Sequence, residues 1–266
     1  MTEIMYDKSS VLIAVVLFVT MAVAIEIGNR IGRHLHRVAD DGIKTQVNAL
    51  QGSLLGILAL LLGFTFAQSL QRYDVRSAAV VDEVNAIGTT YLRSDILAPE
   101  IAVPSQALLR DYIKTRINAA SVSLDRYEDR RELQTIAYGL QEQLWKLAVQ
   151  ASSTTDTPAT VNLYLQSLNE MIDSNAKRDA ALDRHVPELV LFLLYGTFIL
   201  TGGLLGYAAG VGGSHVSKGS YILVSLIVVL VFIIIDLDRP RRGLIEVDQS
   251  SLVQLDAAVQ AQAPER

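Results

Sequence analysis

Four runs of apolar residues punctuate the chain, and one long stretch with helical amphipathic spacing separates the second from the third. About twenty apolar residues at 1.5 Å each cross the roughly 30 Å bilayer core as a helix. The most informative run is Leu50 to Tyr73, which carries no charge from Leu50 to Gln71. It predicts a membrane helix over 50–71. Gly52, Gly56, Leu60, Gly63 and Phe64 fall at steps of three and four and so share one face. Gly52 and Gly56 form a small-xxx-small pair of the kind that lets another helix approach closely. Two readings stay open for this face: helix packing, or the lining of a pathway.

The first run predicts a membrane helix over 9–29. Glu26 lies beyond its uncharged part, at headgroup level beside Arg30 or facing a bundle interior. Ala22 and Ala24 make a weak A-x-A site. The leader MTEIMYDKSS carries Glu3 and Asp7 against Lys8, however, which predicts an uncleaved helix rather than a secretory signal. A short polar linker follows over 30–49, in which His34 and His36 are too close in sequence to face one another on a helix. The third run predicts a membrane helix over 188–213. Its Gly202, Gly206 and Gly210 form a continuous close-packing ridge. A short loop (214–218) leads to a fourth membrane helix over 219–236, rich in Val, Ile and Leu, with Pro240 and Gly243 as its stop signals, and then to a tail over 237–266.

Between the two pairs, residues 72–187 contain no run of membrane length. Four apolar stripes predict helices that pack on one another. They are Val80–Val84–Ile87–Tyr91, Leu108 to Ile117 (with Arg116 among them), Leu133–Ile136–Leu140–Leu144–Leu147, and Leu165–Leu168–Ile172–Asn175. Pro99 and Pro104 are read as breaking the first pair, and the SSTTDTP run as breaking the last. Trp145 and the tyrosines are expected in the core or at an interface. The architecture is therefore all-α: a polytopic membrane protein whose four membrane helices flank, two and two, a helical cytoplasmic domain.

Composition agrees with this class. Of the 266 residues, 50% are hydrophobic, and the mean hydropathy is +0.31. The net charge of -5 and the lack of a basic tract argue against nucleic-acid binding. With no Cys and no metal-type His spacing, neither a metal nor a cofactor is expected. Asp82 and Glu83 are neighbours that point to different helix faces, a poor acid pair, and Ser53 has no catalytic companions, so an enzyme is not expected. Lys8, Arg72, Arg76, Lys177, Arg178, Arg184, Arg239, Arg241 and Arg242 gather on one side of the membrane and outnumber Arg30, Arg33, Arg37, Lys44 and Lys218 on the other. That bias predicts cytoplasmic termini in a cell-membrane protein. Asp236 and Asp238 end the fourth helix, where the macrodipole disfavours anions. Arg239, Arg241, Arg242, Arg72 and Arg76 are candidates to offset them. One reading is a local salt-bridged turn; the other is a clamp between the last helix and the exit of the second.

The stretches GSLLGILALLLGFTFAQSLQRYD, VVDEVNAIGTTYLR and DLDRPRRGLIEV resemble the bacterial bestrophin-like family across nearly the whole chain. Leu62-Gly63-Phe64, followed by Arg72-Tyr73 and Arg76, is more remotely similar to the second-helix pattern of bestrophin ion channels. That resemblance implies a homo-oligomer, a pentamer if it follows bestrophins, which passes small ions through a pore lined by the second helix. Carried over, the apolar neck positions are Gly56, Leu60 and Phe64, although Gly56 has no side chain to constrict a pore. Animal bestrophins bind calcium through an acidic stretch after the last helix, and D-L-D-R-P lacks that dense run, so calcium is not expected. The alternative is a non-conducting scaffold or sensor that binds a partner through its cytoplasmic helices.

Overall fold

The computed structural model describes residues 9–37, 40–122, 126–154, 158–239 and 244–262. Among these residues every element is helical: α1 (Ser10–Leu35), α2 (Asp41–Ser94), α3 (Pro99–Ser121), α4 (Tyr127–Thr154), α5 (Pro158–Asp183), α6 (Glu188–Val211), α7 (Lys218–Asp238) and α8 (Ser250–Ala261). Four stretches are long and apolar enough to cross a membrane: Ser10–Leu35, Asp41–Ser94, Pro158–Val211 and Lys218–Asp238. In the third, the uncharged run lies in α6. The chain divides into two compact units, one of residues 1–71 and 185–239, the other of residues 72–184 and 240–266.

Several boundaries differ from the expected ones. The linker over 30–49 shrinks because α1 continues to Leu35 and α2 starts at Asp41. Nothing in 30–35 or 41–49 breaks a helix, and Asp40 Oδ1 accepts the N–H of Ile43 at 2.8 Å as an N-terminal cap. The helix of the second run continues unbroken past Gln71 to Ser94. Pro99 opens α3, but Pro104 lies inside it. Pro99 costs no helical bond, because the first four N–H groups have no intrahelical partner, whereas Pro104, the sixth residue of α3, forgoes the one N–H bond to the carbonyl four residues back.

In the first unit, α1 buries Ile13, Leu17, Met21 and Ile25, one residue per turn, while Val11, Val15, Val19 and Val23 stay exposed. A helix apolar on both faces suits lipid on one side and protein on the other. In lipid no hydrophobic effect drives helices together, so close backbone packing must. Alpha-carbon positions on α6 show that packing. A Cβ on Gly206 or Gly210 would overlap the carbonyl oxygen of Ile25 or Asn29, and one on Gly202 would lie 3.1 Å from that of Met21. Gly28 and Gly32 of α1 are equally tight against Gly203 and Tyr207. The pairings rise together along both helices, so α1 and α6 are parallel. Asn29, buried, donates to Gly206 O at 3.4 Å and Ser214 O at 3.3 Å. Glu26 and Arg30 form an exposed ion pair at 2.8 Å.

In the second unit, Ile87 and Tyr91 of α2, Leu109, Tyr112 and Ile113 of α3, Leu144 of α4, Leu168 and Met171 of α5, and Leu252 of α8 make one apolar core. The α4 stripe is rotated from the expected one. Ala137, Gln141, Leu144, Ala148 and Ala151 face inward, whereas Ile136 and Trp145 are exposed. Small alanines let α4 approach its neighbours, and the larger Leu133, Leu140 and Leu147 flank the seam half-buried.

Candidate functional site

The first candidate is the membrane part of α2. Leu58, Leu62, Thr65 and Ser69 face inward and are buried. The opposite face is uncovered. A Cβ on Gly52, Gly56 or Gly63 would meet nothing within 4 Å, and Leu60 and Phe64 are 59% and 61% exposed. The glycines of α2 therefore do not seat a helix of the same chain, unlike those of α6. From Leu50 to Gln71 this segment has no charge, and its uncovered face is small or apolar from Gly52 to Ala67, with Gln68 and Gln71 exposed at its end.

The second candidate is the charge cluster. Asp236, Asp238 and Arg239 are buried in the first unit. Asp238 Oδ2 accepts the N–H of Val186 at 2.8 Å, just before α6 begins. The acid at the end of α7 thus meets the positive end of α6, which answers the unfavourable dipole of its own helix. Arg239 Nη1 donates to Ser10 Oγ at the start of α1, 3.4 Å away. In the second unit, Arg76 is buried and donates to the carbonyls of Ala181 at 3.1 Å and Arg184 at 2.5 Å, closing the C-terminal end of α5. Arg72 is half-buried in the same unit. Arg241, with Pro240 and Gly243, lies outside the described residues.

A third cluster was not singled out by sequence. Glu83, with no exposed surface, accepts from Arg116 Nε at 2.6 Å and from Arg178 Nη1. Arg116 also reaches Asp179 at 3.3 Å, and Arg178 donates to Gln249 Oε1 at 2.8 Å. Tyr112 lies 3.5 Å from Glu83 and accepts from Gln141 at 3.1 Å. Two acids and two bases balance, and side chains of α2, α3, α4 and α5 are tied together with Gln249. Burial raises the Tyr112 phenol above its ordinary value, and the Glu83 carboxylate raises it further. Burial disfavours the Arg116 charge, but Glu83 beside it more than compensates, so this guanidinium is held charged. A signal was available: Arg116 and Asn175 occupy apolar-stripe positions, and Arg178 follows Asn175 by one turn.

Among the described residues no three His, Asp or Glu side chains are grouped as a metal ion would need. No curated protein and no solved structure matches the chain. A family description for the bestrophin-like domain matches residues 10–252. That match takes in all four membrane-length stretches and almost all of the helical unit between them, and the chain therefore belongs to the bestrophin-like family.

Proposed function

We propose that the protein is an oligomeric ion pore whose neck is formed by α2, with Leu60 and Phe64 from each copy as its apolar constriction and Gly56 one turn before them. The observation that carries this reading is the uncovered α2 face: Leu60 and Phe64 are exposed, and Gly52 and Gly56 have open space before them. An uncharged apolar face suits a ring of copies around a narrow axis, where apolar side chains gate by dewetting. The pentameric number comes from the likeness to bestrophins. The pore lies in the cell membrane with both termini and the helical unit in the cytoplasm, as the Lys and Arg bias suggests.

The test begins with the mass of the detergent-solubilised particle by light scattering. Five chains are expected; a monomer has no axis for α2 to line and removes the reading. Flux through liposomes then addresses conduction. Leu60→Ala and Phe64→Ala are expected to raise ion flux severalfold by widening the neck, and no flux from the wild type with any small ion refutes the pore. Sidedness is read with Ser152→Cys in this cysteine-free chain: labelling from outside intact cells overturns the proposed topology.

One observation favours a scaffold or sensor. Tyr138, Trp145 and Val149 lie exposed along α4, at steps of seven and four, as a partner helix would require. If Trp145→Ala abolishes a cellular phenotype while the intact protein conducts nothing, this second reading replaces the first.

A further inference from the structure

The uncovered face of α2 does not end with the membrane part. The helix runs unbroken to Ser94. Two turns on from Phe64 the same face reaches Gln71, and in steps of three and four it then passes Asp74, Ala78, Asp82, Asn85 and Thr89, every one of them exposed. Its chemistry changes at Gln71 from apolar to polar, and from there on its only charges are negative. The basic side chains of this part of α2 are turned elsewhere. Arg76 is buried on the carbonyls of Ala181 and Arg184, Arg93 donates to Leu163 O of α5 at 2.8 Å, and Arg72 is half-buried. Among the described residues neither the Asp74 nor the Asp82 carboxylate is paired with a base.

A face that met only bulk water would be expected to be polar across its whole width. This one has apolar shoulders. At about 100° per residue, Val75 and Val81 fall on opposite sides of the acidic stripe, and they are 46% and 48% exposed. A ring of copies gives each group a place: the valines of adjacent α2 helices meet at the shoulders, and the stripe between them faces the axis. We propose that Asp74 and Asp82 of every copy form two acidic rings on the path beyond the neck, and that the permeant ions are therefore small cations. The proposal rests on the pore reading and adds the sign of the ion to it. An apolar neck favours neither sign, whereas a ring of carboxylates concentrates cations and repels anions at the mouth. Neutral Ala78, Asn85 and Thr89 leave the acids as the only charges on the stripe.

The test uses the full chain in planar bilayers under a potassium chloride gradient, where the reversal potential gives the ratio of potassium to chloride permeability. The wild type is expected to favour potassium by at least about fivefold at low salt. The preference should shrink in about 1 M salt, where the screening length falls to about 3 Å. Asp82→Asn should lower the ratio severalfold, Asp74→Asn together with Asp82→Asn should bring it close to unity, and Asp82→Lys should turn it towards chloride. Glu132→Gln removes an exposed acid from α4 instead and should leave the ratio unchanged. A wild type that conducts but favours chloride, or neither ion, overturns this inference and leaves the pore reading standing, whereas a wild type that passes no ion removes both. A potassium preference that survives the double substitution, or that Glu132→Gln lowers as much as Asp82→Asn does, overturns the assignment to the two rings. Both acids are exposed and unpaired, so their asparagine variants keep the packing of α2 intact.

Discussion

Glu83→Gln isolates the buried network at almost constant volume. In the wild type, Glu83 and Asp179 balance Arg116 and Arg178. The substitution leaves one buried positive charge uncompensated. Arg116 retains Asp179 at 3.3 Å, so Arg178, whose other named partner is the neutral Gln249, carries most of the loss. Removing one member of a buried ion pair costs about 3–5 kcal/mol. At about 1.4 kcal/mol per tenfold, amide protection in the second unit should fall by roughly two to three and a half orders of magnitude. The assay is hydrogen exchange of the full chain in detergent, read on peptides from α3 and α5. Asp82→Asn is the control: Asp82 is exposed on the same helix, and a surface change of this kind stays within about 0.5 kcal/mol. Adding Arg178→Met to Glu83→Gln restores neutrality and should recover part of the loss, a coupling that only residues in contact show. If Glu83→Gln and Asp82→Asn lower protection equally, the network does not hold the unit together and the reasoning is wrong.

Neighbouring glycines should respond oppositely: Gly206→Ala forces α1 and α6 apart and should lower stability by at least about 1–3 kcal/mol, while Gly203→Ala, with an ordinary contact at 3.9 Å, should be nearly neutral in a detergent-unfolding titration. Asp238→Ala should cost about 1–3 kcal/mol, because the buried Val186 N–H loses its acceptor, and should loosen the start of α6 in hydrogen exchange. The raised phenol of Tyr112 makes the folded state hold a proton that the unfolded chain releases near pH 10. Stability should therefore fall as pH rises past about 10, and Tyr112→Phe should flatten that alkaline slope in thermal melts.

The membrane helices were legible because in lipid the signal is length and absence of charge, and both can be read residue by residue. The helical character of 72–187 was legible for a similar reason, since apolar spacing of three and four is local. What sequence could not supply was rotation and partnership. On α4 the bulky Leu133, Ile136 and Leu140 suggested a seam, but the structure turns Ala137 and Ala148 inward, because close approach favours small residues over large ones. Glu83 illustrates the second gap. Beside Asp82 it looked like half of an unpromising acid pair, and its partners lie 33 and 95 residues away. A charge within an apolar stripe, such as Arg116, was the readable clue that a counter-charge had to be found across the core.

The two glycine-rich membrane helices show how far one motif can be trusted. Gly52-x-x-x-Gly56 on α2 and Gly202-x-x-x-Gly206 on α6 are the same small-xxx-small pattern, read as helix packing in both, with the lining of a pathway as the second reading on α2. On α6 the space before the glycines is taken by α1 backbone, so tightly that no side chain fits. On α2 that space is open. An intramolecular packing motif is saturated within its own chain; an unsaturated one needs an occupant from outside it. The bulky residues that continue the α2 face, Leu60 and Phe64, are the same ones that stand exposed. That combination is what an α2 axis shared between copies would require, and it is why particle mass discriminates more sharply than any substitution on α6.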